Sequence, residues 1–586
     1  MFNSTIVDLE KFQKKIQGTE IKYRFSHEGK AYYVECGEVL PKFKLIRMAH
    51  DSKSSIMDSD EYFNRGVKRN NTIIATGDRP CFALLCHQVQ NKLDPDIYKL
   101  GDCRIRIAYG ENEKWLDLSD KIRTTYFAGS TEYDIKLSLN DSLSVKFTVF
   151  QIEDIGAGGM LKIKNESRER IHLDVTFEYG GIMSLERTSS AKYFDHNTRI
   201  FDGNKLSTYG DFAELACESL PQKVMVCTAP RQIPIIRNNL VQYHFSFALS
   251  GNDVKVIALM AAILELDGDV DEIKKRLSET PPRYWIDESR YYYENLIKDI
   301  YISTPNKLID AAFFASLYNF DYIYTPPAWL EGVHWWAAPW CNNYQISAAI
   351  SIGQLDRAKN ALRFFAAPEQ GPCAALYSSG APNISGVMDT NDGIPYYLYQ
   401  LTQYYQVTGD IDFILDIWEK VVKAVDKVLN ERNTKGNGLL SWHMGCNAFL
   451  YQADHLQLPG DSTSPSIMIA GMLERLSKVA KDIGKDDVAD KWRSLSDDMF
   501  GKIRHILWNK GKGVFYSHCD MQDIKHMCHY YTDMVFPVLY SELPDEYKWQ
   551  SMEYLGKSLW CRNLFNELNL MRVGEYKPDI FGSNNV

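Results

Sequence analysis

Nothing in these 586 residues runs apolar for the length needed to cross a bilayer. The N-terminus, Met1-Phe-Asn-Ser-Thr, lacks a basic stretch followed by an apolar one, so no signal peptide is read. A cytoplasmic location is therefore expected, or a periplasmic one if a signal has been removed. The 12 cysteines are scattered, with no CxxC pair, which points to free buried thiols in a reducing compartment. No glycine-rich phosphate loop and no nucleophile elbow occur, which argues against nucleotide and serine-hydrolase chemistry. No basic face is clustered and the net charge is −10, so a nucleic-acid surface is not expected. The sequence implies neither a cofactor nor a membrane partner, and it does not reveal an oligomeric state.

What is present is an ordinary globular composition, 45% hydrophobic and 24% charged, in a chain long enough for two or more domains. Residues 1–270 read as an antiparallel β-sandwich. Asp134-Ile-Lys-Leu-Ser-Leu139 and Leu143-Ser-Val-Lys-Phe-Thr-Val149 alternate apolar and polar residues on either side of Asn140-Asp141, which is a hairpin signal. Residues 271–304 are charged and helical, broken by Thr280-Pro-Pro-Arg283, and read as a helical linker. Residues 305–586 read as helix after helix. The candidates are 306–323, 343–366, 392–407, 411–430, 464–483, 486–508, 527–541 and 545–560. Asp410 stands where the fourth of these would need an N-cap. Connections alternate between long and short. Hairpins with short turns on one rim and long loops on the other describe an (α/α) toroid with its site on the long-loop rim.

The aromatic content is 13%, and indoles and carboxylates gather in three of the long loops. The first loop is Glu331-Gly-Val-His-Trp-Trp-Ala-Ala-Pro-Trp-Cys-Asn-Asn343, and the second is Gly386-Val-Met-Asp-Thr-Asn-Asp-Gly393. The third runs from Ser441 through His443, Asn447 and Asp454 to Pro459-Gly-Asp-Ser-Thr-Ser-Pro465. Aromatic faces stack on pyranose rings, and carboxyl groups on either side of an acetal carry out its cleavage. A carbohydrate substrate is the partner these loops call for. The cluster His518, Cys519, His526, Cys528 and His529 fits no closed zinc spacing, so no metal is expected.

The order of these features resembles that of six-hairpin glycoside hydrolases with an N-terminal β-sandwich. That broad group includes glucoamylases, trehalases, debranching enzymes and glycoside phosphorylases, and the nearest likeness is to bacterial members tied to polysaccharide breakdown. The resemblance covers roughly residues 70 to 586. It rests on Asp389-Thr-Asn-Asp-Gly-Ile-Pro395, on Tyr404-Tyr-Gln-Val-Thr-Gly-Asp-Ile-Asp-Phe413 leading to Trp418-Glu419, and on the polar loop before the fifth helix. It implies an inverting glycosidase with a carboxylic acid and a carboxylate. The catalytic carboxyls would come from Asp461, Asp454 and Asp392. Glu331, Trp335, Trp336, Trp340, Asn343, Asp389, His443, Asn447 and Asp533 would contact substrate.

Two departures from the group stand out. Where it carries Trp-x-x-Arg-Asp, this chain has Trp340-Cys-Asn-Asn343. About eight helices are read where six hairpins need twelve, so the toroid is expected to be incomplete and its general base to be missing from this chain or supplied from elsewhere. Two other readings compete with hydrolysis. A polysaccharide lyase on the same toroid would need basic residues to neutralise a uronate, and the three loops lack such a cluster. A non-catalytic carbohydrate-binding scaffold would bind sugars without turnover.

Overall fold

The computed structural model describes the chain between residues 22 and 571 apart from several segments, the longest being 51–65, 187–202, 367–392 and 442–458; segments 331–338 and 528–530 are also outside the described residues. The N-terminal region is two antiparallel sheets, one of eleven strands and one of eight. Ser130–Lys136 and Leu143–Ile152 form the expected hairpin, with Ile135 opposite Val145. Asn140 closes its turn by accepting from the Ser142 N–H at 2.8 Å, the local bond that makes Asn a turn residue. The alternation read in the sequence becomes one inner layer. Phe147 and Leu161 from the larger sheet and Ile105, Phe177 and Tyr243 from the smaller one share a core with no exposed surface.

Strand gives way to helix between Glu265 and Val270. Helix α1 (Val270–Glu279) starts on Asp269, whose side chain accepts from the N–H groups of Asp271 and Glu272. Helix α2 (Pro282–Ile297) begins with proline at its first position, where no N–H is needed. Both pack on the eleven-stranded sheet, with Trp285 and Ile286 buried against Phe150, Met225 and Met260.

The helical region is a series of hairpins. They are α3 (Pro339–Ser351) with α4 (Leu355–Phe365), α5 (Gly393–Thr408) with α6 (Ile411–Glu431), α7 (Thr463–Asp482) with α8 (Asp486–Lys502), and α9 (Tyr531–Tyr540) with α10 (Asp545–Ser558). The span 343–366, read as one helix, is two. Gly353 sits at φ +79° in open space and turns the chain back, a conformation that favours glycine. Gly409 (φ +64°) and Gly484 (φ +74°) do the same after α5 and α7, so three of the four short turns use one device. The helix expected to run to 508 stops at Lys502 and passes into a π-type turn over Ile503–Leu507. Of the span 306–323, residues 313, 316–318 and 320–322 are helical among those described.

Helix α3 packs on α5, α5 on α7 and α7 on α9, while each of α4, α6, α8 and α10 packs on its own hairpin partner. Burial separates the two layers. Helix α7 is buried on every face from Thr463 to Ala480 apart from Arg475 and Lys478, whereas α8 buries only Ala489, Trp492, Ser496, Met499 and Phe500. The odd-numbered helices from α3 to α9 are thus an inner layer and the even-numbered ones an outer layer. No described helix is long and apolar enough to cross a membrane. Among the described residues six cysteines are free and buried, and burial pushes the Cys86 and Cys227 thiols up to about 12.

Candidate active site at the rim of the helical layer

Each hairpin reverses the chain, so α3, α5, α7 and α9 all begin on the same rim. The three loops rich in indoles and carboxylates lead into Pro339, Gly393 and Thr463, the first residues of α3, α5 and α7. Backbone N–H groups at these helix starts lack intrahelical partners and carry positive potential, which makes the rim a place to hold oxygen ligands.

The first loop is closed at its base. The Asn342 side chain donates to the Trp329 carbonyl at 2.8 Å and accepts from the Trp329 N–H at 3.0 Å, imitating a strand partner. Asn342 and Trp329 are both fully buried. The paired amides at 342–343 therefore divide their work. Asn342 anchors backbone, and Asn343 remains the one of the two with a proposed sugar contact.

The third loop enters α7 through a short strand, Gly460–Ser462, paired with His518–Asp520. A side chain at Gly460 would meet the Cys519 carbonyl at 2.4 Å, so only glycine allows this pairing. Asp461 is 1% exposed. The Asn437 amide donates to both of its carboxylate oxygens at 3.0 Å, and the Lys435 ammonium lies 3.3 Å away. Lys435 also holds Asp523 at 2.6 Å. Burial draws the Lys435 pKa down, but the Asp523 and Asp461 carboxylates outweigh it and leave it raised. Asp461 is thus knitted into the loop that follows α6, through Lys435 and Asn437, which sequence reading does not single out.

Asp533, in the first turn of α9, is also 1% exposed. Its Oδ1 accepts from the Ser464 hydroxyl at 2.5 Å, and its Oδ2 has no partner. Burial pushes this carboxyl up to about 7, against hydrogen bonds from Ser464 and Ser517 that pull it down. Nearby, His518 Nδ1 pairs with the Ser462 hydroxyl at 2.9 Å. Burial first, then the neighbouring His526, lowers the His518 pKa to about 4, so its ring is neutral at pH 7. His526 Nε2 bonds Asp520 at 2.9 Å. Among the described residues no group of three or more His, Cys, Asp or Glu is placed to hold a metal ion; Cys528 and His529 lie outside them.

Glu331, Trp335, Trp336, Asp389, Asp392, His443, Asn447 and Asp454 also lie outside the described residues, and Trp340 and Asn343 are described only as backbone positions of α3. The structure therefore brings Asp461 and Asp533 to the start of α7, Asp461 two residues before it and Asp533 bonded to Ser464 in its first turn, each buried.

Solved structures share the fold that carries this rim. A protein described as a kojibiose phosphorylase from human microbiome superposes over 90% of this chain and 77% of its own, with a TM-score of 0.57 and 13% identity. A bacterial glucoamylase solved with acarbose superposes over 90% of this chain and 82% of its own, with a TM-score of 0.54 and 7% identity. This chain has the β-sandwich and (α/α) toroid fold. At such identity the likeness is one of fold. No family model matches the sequence, and no curated protein matches it.

Proposed function

We propose that this chain is a glycoside hydrolase that cleaves oligo- or polysaccharides at the long-loop rim, by inversion. The observation that carries the reading is the common rim of α3, α5, α7 and α9. The loops bearing Trp335, Trp336, Asp389, Asp392 and Asp454 all run into it, with Trp340 in the first turn of α3, on a fold shared with a glucoamylase. In this reading the indoles stack on sugar rings, and Asp389, His443 and Asn447 bond hydroxyls. One carboxylic acid protonates the leaving oxygen while a carboxylate activates water on the opposite face. The ion pair with Lys435 and the two hydrogen bonds from Asn437 occupy Asp461, which favours Asp454 over Asp461 as the proton donor, with Asp392 as its counterpart.

A second reading is favoured by the likeness to a protein described as a kojibiose phosphorylase. There phosphate would take the place of water and leave a sugar 1-phosphate. Incubating the protein with a panel of oligosaccharides, with and without inorganic phosphate, separates the two. Free sugar released without phosphate supports hydrolysis, and a product formed only with phosphate supports phosphorolysis. Binding of sugars with no product in either condition would favour a non-catalytic scaffold.

A further inference from the structure

Asp533 is too deeply buried to meet a sugar from the surface, yet it is an uncomfortable residue to keep there. One oxygen lacks any partner, and an unsatisfied buried polar atom costs stability. We propose that Asp533 is a positioning residue of the rim site, a carboxylic acid on α9 that caps the start of α7 and so fixes the helix into which the Asp454 loop runs. This rests on the hydrolase reading given above.

Three observations carry it. The residue at the N-cap position of α7, Ser462, makes no side-chain capping bond, because its hydroxyl is turned to His518. In its place Asp533 accepts from both the hydroxyl and the backbone N–H of Ser464, so the cap is supplied across the helix interface. Finally, Pro537 lies four residues after Asp533 in α9. Proline has no N–H to bond the Asp533 carbonyl, so the first turn of α9 is released from the helical ladder where its side chain is used elsewhere.

The cap is titratable close to neutrality. From α7 it faces Ser464, and from the strand end it faces Ser517; among the described residues no neighbouring charge contributes to the shift. His518, the next residue along, is neutral above about pH 4. With a folded pKa near 7 and an unfolded value of about 4, the folded state holds a proton that the unfolded state releases between those limits. Stability is therefore full at about pH 4 and falls as pH rises to about 7, then levels off. Ionisation at the upper end puts an unpaired charge beneath the rim.

The test compares wild type with Asp533→Asn and Asp533→Ala. Asparagine keeps an acceptor for Ser464 but cannot ionise, so melting temperature should become flatter across pH 4 to 8 and should exceed that of wild type at pH 8. The alkaline limb of the pH–rate profile near 7 should disappear from sugar release in Asp533→Asn, an effect a merely structural role would not produce. Asp533→Ala removes the cap and should lower kcat by about 10- to 100-fold with a smaller change in KM, as expected for a shifted reacting group. A carboxyl carbon resonance of Asp533 titrating near 4 would overturn the proposal, as would an unchanged pH–rate limb in Asp533→Asn. If wild type releases no sugar, the hydrolase reading fails, while the melting profiles and the carboxyl titration still decide whether Asp533 is the cap.

Discussion

Replacing Asp321 by alanine is expected to destabilise the protein by about 3 kcal/mol or more, because it strands a cation inside the contact between sandwich, α2 and helical region. Asp321 is 1% exposed and pairs with the Arg357 guanidinium at 2.8 Å. The Tyr292 hydroxyl on α2 donates to the same oxygen at 3.1 Å. Arg69, from the eight-stranded sheet, stacks over the Tyr292 ring at 3.8 Å and pairs with Glu288 at 2.8 Å. Asp321 therefore ties α2 to the helical region directly, and Tyr292 carries the contact on to the sandwich through Arg69. Burial works against the charge on Arg357, and the Asp321 carboxylate outweighs it, so removing Asp321 leaves that charge without its main support. Differential scanning calorimetry should show a lower melting temperature for Asp321→Ala and a milder drop for Asp321→Asn, which keeps an acceptor. Replacing both charges, as in Asp321→Leu with Arg357→Met, should recover much of the loss, since it is the unpaired charge that costs most. Equal losses in single and double variants would contradict this account.

The second large effect is expected at Gly471. It lies in α7 where that helix approaches α9, and a methyl group there would sit 1.6 Å from the Tyr540 carbonyl oxygen. No side-chain rotation relieves a clash with backbone, so Gly471→Ala must push the two inner helices apart. Overpacking typically costs about 1–3 kcal/mol, and a contact this short belongs at the upper end. The consequence reaches the rim. Asp533 and Ser464 bridge the same two helices, so their 2.5 Å bond is expected to break. The variant should melt lower than wild type and lose the near-neutral titration of Asp533. At Gly409 a methyl group would meet nothing within 4 Å, but the backbone sits at φ +64°. Substitution there should cost only the backbone strain, about 1 kcal/mol.

Much of the scaffold is legible in the sequence because it rests on local rules. Alternation across Asn140 marks a hairpin whose turn is closed by Asn140 itself. Asp410 reads as a helix cap, and its side chain accepts from the Phe413 N–H at 3.1 Å. The turn at Gly353 escapes such a reading because apolar periodicity runs through it: Ile346, Ala349 and Ile350 precede it and Ala358, Ala361 and Leu362 follow, all buried. Its signal is present all the same, since Ile352-Gly-Gln354 repeats the pattern of Ile483-Gly-Lys485.

The chemistry is less legible, because partnerships at the rim span long stretches of chain. Asp461 invites reading as an acid or as a helix cap, but its partners Lys435 and Asn437 arrive from the loop beyond α6. The pairing of Ser464 with Asp533 crosses 69 residues and exists only once α7 and α9 are packed. No periodicity announces it. The one local trace is Pro537, four residues past an aspartate inside an apolar helix.

The most direct test of the central claim is an anomeric-proton NMR time course on oligosaccharides and aryl glycosides, with wild type beside Asp454→Asn and Asp461→Asn. The account predicts that wild type first releases sugar of the anomeric form opposite to that of the bond cleaved. It predicts a loss of about 10²- to 10⁴-fold in a folded Asp454→Asn variant, as for removal of a general acid. Asp461→Asn should act chiefly through stability, by removing one of the two carboxylates that hold Lys435. Release of sugar that persists undiminished in Asp454→Asn, or no release from any substrate by wild type, would contradict it.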